Sequence, residues 1–138
     1  MLKKVYGKKL SRAQGARRAL FRSLIRAIVI DGKIITTYAK AKSVQADIDK
    51  IMKKVKRNDL ASRKQVLATL ANDKVTVNKL FTELKSVAEG RKSGFTRISA
   101  LPPRKGDSAA MVRLEWSTPA QKKTEKKVKV EKEVTKKK

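Results

Sequence analysis

Apolar residues in the first third of the chain recur at helical spacing. Ala13, Ala16, Leu20, Leu24, Ala27 and Ile28 step by mostly three or four residues and predict one apolar stripe on a helix from Arg12 to Ile30. Ser11 precedes it as the expected N-cap, and Gly32 follows as a stop signal. The β-branched run Lys33–Thr37 then reads as a short strand after a turn at Asp31-Gly32. Ala41, Val44, Ile48, Ile51 and Val55 give the cleanest three-four spacing and predict a helix from Ala39 to Lys56. Asp59 is the expected cap of a third helix, Leu60 to Leu70. Asn72 or Asp73 would cap a fourth, Lys74 to Glu89, with Leu80, Leu84 and Val87 inward and Gly90 at its end. Beyond Gly94 the period falls to two. Phe95–Leu101 and Met111–Trp116 alternate, with Val112, Leu114 and Trp116 on one face, and residues 102–110 form a long hairpin loop.

These elements predict an α+β chain in a single two-layer domain. About four helices pack on a small three-stranded mixed sheet. The periodic region spans residues 11–117 and reads as the folded domain. Residues 1–10 read as a basic N-terminal arm. Residues 118–138, with nine Lys, three Glu and no apolar side chain larger than Val, read as a Lys-rich tail.

Charge changes the picture most. The chain of 138 residues carries 37 Lys and Arg against 12 Asp and Glu, a formal net charge of +25. Residues 1–30 hold nine of those cations and no acid: Lys3, Lys4, Lys8, Lys9, Arg12, Arg17, Arg18, Arg22 and Arg26. Arg18, Arg22 and Arg26 are four apart and stack on one helix face, where like charges repel. A dense array of fixed negative charge offsets that repulsion, and nucleic-acid phosphate is the commonest such array. The Arg fork suits it, because two parallel N–H groups can grip one phosphate.

The residue inventory narrows the chemistry. There is no Cys for a disulfide or thiolate, and no His for a general base or metal ligand. Asp47 and Asp49 are too few and too close to Lys to suggest a metal site. No Gly-rich phosphate loop, nucleophile set or carboxylate pair appears, so no catalysis, cofactor or small-molecule substrate is expected. The longest apolar runs, 27–30 and 109–112, are too short to cross a bilayer, and Arg22 and Arg26 interrupt any signal-peptide core. Arg97, Arg104 and Lys105 extend the expected cationic surface onto the hairpin. Phe95 reads first as a core residue and second as a base-stacking platform.

The ordered motifs resemble a known family. Leu10-Ser11-Arg12, Arg17 and Ala19-Leu20-Phe21-Arg22 are similar to the opening of bacterial large-subunit ribosomal protein L17. So are Ile34-Ile35-Thr36-Thr37-Tyr38-Ala39-Lys40-Ala41-Lys42, Ala61-Ser62-Arg63-Lys64 and Lys79-Leu80-Phe81-Thr82-Glu83-Leu84. The end matches best, in Gly94-Phe95-Thr96-Arg97-Ile98, Arg104-Lys105-Gly106-Asp107, Met111 and Leu114-Glu115. The resemblance covers about residues 8–116. It implies helices packed on a small sheet, bound to large-subunit ribosomal RNA near the peptide exit tunnel, with neighbouring ribosomal proteins as partners and a structural and assembly role in the cytoplasm. It adds Lys40, Lys42, Arg63 and Lys64, which fall within the matched motifs, to the expected RNA-binding set. Met1-Leu2-Lys3-Lys4 departs from the family's Met-Arg-His-Arg-like start. Ala16 stands where His is usual, and Ser43 where Glu is.

A nucleoid-type DNA-compacting protein with a basic tail is the rival from charge alone, and an anionic-membrane binder is a more distant one. Competition between ribosomal RNA and duplex DNA separates the first, and liposome flotation the second.

Overall fold

The computed structural model describes residues 8–118. The arm residues 1–7 and tail residues 119–138, including Lys3 and Lys4, lie outside it. Five helices and three strands follow in the order α1 (Gln14–Asp31), β1 (Lys33–Thr37), α2 (Tyr38–Arg57), α3 (Leu60–Thr69), α4 (Lys74–Thr82), α5 (Lys85–Glu89), β2 (Thr96–Ala100) and β3 (Met111–Trp116).

The sheet order is β1-β3-β2, and both pairings are antiparallel. The expected mixed sheet is therefore corrected to a wholly antiparallel one. β1 and β2 do run parallel to each other, but the hairpin return inserts β3 between them. Ile34 and Ile98 flank Leu114, and Thr36 and Ala100 flank Val112. The face carrying Thr36, Val112, Leu114 and Trp116 is buried, while Ile35 of β1 is exposed on the other.

α2 supplies the centre of the core. Its Ala41, Val44, Ile48, Ile51, Met52 and Val55 are all buried, as the three-four spacing predicts. It ends at Asn58, whose φ of 57° lies in the left-handed region that Asn tolerates, with the Asn58 N–H donating to the Lys54 carbonyl.

α1 departs from its expected start and stripe. Leu10 and Ser11 have φ of 53° and 51°, so Ser11 lacks the extended conformation an N-cap needs, and Ala13 takes that position without a capping side chain. The buried residues are Ile25, Ile28 and Val29. Phe21 and Leu24 pack partly against them, whereas Ala13 and Ala16 are exposed. The first turns of α1 thus project past the core. The other end is anchored. Gly32, at φ 78°, donates its N–H to the Ile28 carbonyl, and the same carbonyl accepts the buried Trp116 indole N–H at 3.1 Å.

The expected helix Lys74–Glu89 is broken. α4 stops at Thr82, Leu84 takes φ −93° and ψ 1°, and α5 begins at Lys85. The bend serves packing. α4 lies on α1 and α5 lies on α2, so Leu80, Leu84, Val87 and Ala88 are all buried along a path one straight helix would not follow. Asp73, not Asn72, caps α4. Its carboxylate accepts the Thr76 N–H at 3.2 Å and the Thr76 hydroxyl at 2.7 Å.

Candidate nucleic-acid interface

The described residues hold 26 Lys and Arg against nine Asp and Glu. Eight of those nine carboxylates have internal partners. Asp47 meets Lys50, Glu83 meets Lys79, Glu89 meets Lys85, Glu115 meets Arg97 and Asp107 meets Arg104. Asp73 caps α4 and pairs with Arg26 at 3.3 Å. Asp49 accepts the N–H groups of Gly94 and Phe95, and Asp59 accepts the Ser62 hydroxyl. The acids are thus committed to caps, turns and cross-links, and most cations have no carboxylate partner.

Four of the described cations line a groove of about 300 Å³ between α1 and α2. Arg18 and Arg22 line one side and Lys50 and Lys54 the other. Phe21, Ile25 and Ile51 form the floor, and Thr69 closes one end. Helical i,i+4 spacing puts each cation pair about 6 Å apart on its own helix. The Arg22 Nε donates to the Thr69 carbonyl at 3.0 Å, which fixes the guanidinium without neutralising it. Asp47 also lines the groove. It sits 3.4 Å from Lys50, whose side chain is 74% exposed, so this pair is a weak one.

The other expected site residues fall into distinct settings. Arg12 and Arg17 lie at the projecting start of α1, with guanidinium donors on the Leu10 and Arg12 carbonyls. Arg26, on the same face as Arg22, turns to Asp73. The Thr76 hydrogen bonds, the larger cause, and the Arg26 charge hold the Asp73 carboxyl below its ordinary range. Lys8, Lys9, Lys42, Lys64 and Lys105 are exposed or half-buried at the surface, and Lys40 is half-buried.

Arg63 has an internal role. Its guanidinium lies 5.3 Å from the centre of the Phe81 ring and donates to the Asn78 side-chain oxygen at 2.8 Å, joining α3 to α4. Arg97 crosses from β2 to β3, with Nε and one Nη on a single Glu115 oxygen at 3.2 and 2.7 Å. That hydrogen bonding, then the charges of Arg97, Arg113 and Lys33, lowers the Glu115 carboxyl. Arg104 and Asp107 close the hairpin loop on itself. The Arg104 hydrogen bonds, reinforced by the Ala109 N–H, bring Asp107 down to about 2. Phe95 is fully buried and is a core residue.

Lys50 and Lys54 stand outside the set expected from sequence. Their four-residue spacing off the α2 stripe was the available signal, matching that of Arg18 and Arg22. Which face of α2 would meet α1 depended on the tertiary packing. Among the described residues, no cluster of His, Cys, Asp or Glu is arranged to hold a metal, and no helix is long and apolar enough to cross a membrane.

A family model for ribosomal protein L17 matches residues 20–117. Large ribosomal subunit protein bL17 of Carboxydothermus hydrogenoformans is 40% identical over 111 residues, covering 80% of this chain and 98% of that protein. The bL17 protein of a Hydrogenobaculum strain is 41% identical over 117 residues, 84% of this chain and 98% of that protein. In Desulfovibrio desulfuricans the match is 41% over 112 residues, which cover 80% of this chain and 65% of the relative. The matched stretch begins on α1 and ends just past β3, so it contains most of the groove and the whole sheet: the chain belongs to the ribosomal protein L17 family, structural and non-enzymatic components of the large ribosomal subunit.

Proposed function

We propose that the protein binds large-subunit ribosomal RNA mainly through phosphate contacts, and that it supports subunit assembly near the peptide exit tunnel. The observation that carries this reading is the unequal pairing of charge. Eight of nine described carboxylates are occupied internally, leaving a surplus of cations that includes those along α1 and the α1–α2 groove. Arg12, Arg17, Arg18, Arg22 and Arg26 neutralise phosphates on this reading. Lys40, Lys42, Arg63, Lys64, Arg97, Arg104 and Lys105 extend the surface, and Lys3, Lys4, Lys8 and Lys9 order on RNA as an arm. Residues 11–117 act as the folded unit, with 1–10 and 118–138 as its basic extensions. Neighbouring ribosomal proteins complete the partner set. As a member of its family the chain works in the ribosome, which in bacteria is cytoplasmic.

The test is the salt dependence of binding to large-subunit ribosomal RNA, with duplex DNA as competitor. If about six to eight phosphates are neutralised, the log–log slope is steeper than about −4. A slope near zero, or equal preference for duplex DNA, overturns the reading. Limited proteolysis checks the boundaries: a resistant core of 11–117 is expected, and rapid cutting between residues 40 and 88 contradicts it.

A further inference from the structure

The α1–α2 groove has a feature that phosphate binding alone does not use. Its walls are cationic, but its floor is apolar, and Phe21 within that floor is only half-buried. Ile25 and Ile51 already close the seam between the two helices, both being 3% exposed. Phe21 therefore leaves part of an aromatic surface open between two arginines and two lysines. Aromatic surface flanked by backbone-tracking cations is the arrangement on which unpaired bases stack. A duplex cannot use it, because its bases are stacked inside the helix. The bases of RNA loops and bulges are free to be splayed out.

We infer that this groove holds one unstacked nucleotide of the RNA, with its base against Phe21 and its flanking phosphates on Arg18 and Arg22 on one side and Lys50 and Lys54 on the other. Arg22 is oriented for this by the Thr69 carbonyl, which takes its Nε and leaves the remaining guanidinium donors for phosphate. Asp47 bears on Lys50 alone, so the net charge of the groove stays positive. The inference rests on the RNA-binding reading and assigns this groove an unpaired nucleotide where that reading requires only phosphates.

The experiment uses the full chain and two RNA hairpins of identical stem, each closed by the same non-nucleotide linker so that no loop base is present, one fully paired and one with a single bulged 2-aminopurine. The bulged hairpin is expected to bind about tenfold tighter, the order of one stacked base, with quenching of the 2-aminopurine emission. Phe21→Leu is expected to abolish the preference and leave the salt slope unchanged. Arg18→Gln is expected to weaken both hairpins alike. Equal affinity of the unaltered protein for the two hairpins, with salt-dependent binding to each, overturns the inference and keeps the RNA-binding reading. Absence of salt-dependent binding to either removes both. Preference retained in Phe21→Leu also overturns it. Should Phe21→Leu fail to fold in a thermal melt, the fluorescence of the bound unaltered complex decides: quenching supports the stacked base, and unchanged emission excludes it.

Discussion

Two arginine-bearing regions have opposite electrostatic fates. In the α1–α2 groove, Arg18 and Lys54 have no carboxylate within ion-pairing distance among the described residues, and Arg22 is held by a neutral carbonyl. On the sheet and its hairpin, Arg97 and Arg104 are each gripped by an acid of the same region, Glu115 and Asp107. Arg18, Arg22, Arg97 and Arg104 are all exposed arginines in a strongly basic chain. The difference is whether an acid lies on the facing strand or within the same turn. A cation already paired gains less from phosphate, because its carboxylate must be displaced or must tolerate an added anion. The groove is thus the better-placed phosphate site, and the hairpin arginines serve first to order the hairpin.

The largest expected effect tests whether charge and packing on α1 are separable. Ile28 is fully buried, and its carbonyl accepts the Trp116 indole. Ile28→Ala should lower the stability of the free protein by about 2–5 kcal/mol. Arg18→Gln should change it by less than about 0.5 kcal/mol, as for an exposed position away from such features. Thermal or denaturant melts report both. A large destabilisation from Arg18→Gln means that the groove cations are part of the fold, and the contrast with the hairpin fails.

Next comes binding itself. Arg18→Gln with Lys54→Gln should weaken ribosomal RNA binding by about thirtyfold and reduce the salt slope by about 2, one for each phosphate no longer neutralised. Arg97→Gln with Arg104→Gln should change the slope by less than about 0.5. Equal slope changes for the two pairs would erase the distinction. A smaller effect sharpens it from the other side. Glu115→Gln with Asp107→Asn removes the carboxylate charge beside each guanidinium group, so affinity should rise about two- to fivefold at low salt and converge with the unaltered protein at high salt.

The parts legible in sequence share a physical cause: a strong local period. The α2 stripe and β1 follow from residues whose spacing admits one good solution, and β3 follows from alternation on a half-buried sheet. α1 was harder. Its alanines continue the period past the end of the core, so the stripe including Ala13 and Ala16 is longer than the surface available to bury it. The break at Leu84 was hidden because the residues there are compatible with helix, and only the need to reach both α1 and α2 bends the chain. Sheet order was likewise a long-range property. At the interface, the sequence displayed an acid-free cationic stretch over residues 1–30 and the Lys50–Lys54 spacing. It did not display which arginines would find partners 15 or more residues away, as Arg63 finds Asn78 and Arg97 finds Glu115.

The subtlest expected effect concerns Asp107 and asks whether the hairpin pair persists in solution. Hydrogen bonds from Arg104, and then from the Ala109 N–H, lower its carboxyl from an ordinary 3.8 to about 2. A carboxyl lowered on folding contributes its stabilisation above the unfolded value, and the contribution fades as pH falls through the folded one. The Arg104–Asp107 pair should therefore be intact from neutral pH down to about 4 and should open between about 4 and 2. Both side chains are more than half exposed, so the global melting temperature should barely respond. The informative observable is local, the NMR titration of the Asp107 side-chain carbon. Its midpoint should lie near 2 in the unaltered protein and move back toward 3.8 in Arg104→Gln. A midpoint near the ordinary value in the unaltered protein would mean that the pair opens freely in water. Arg104 would then be as available to phosphate as Arg18, and the hairpin would rank with the groove as a primary contact surface.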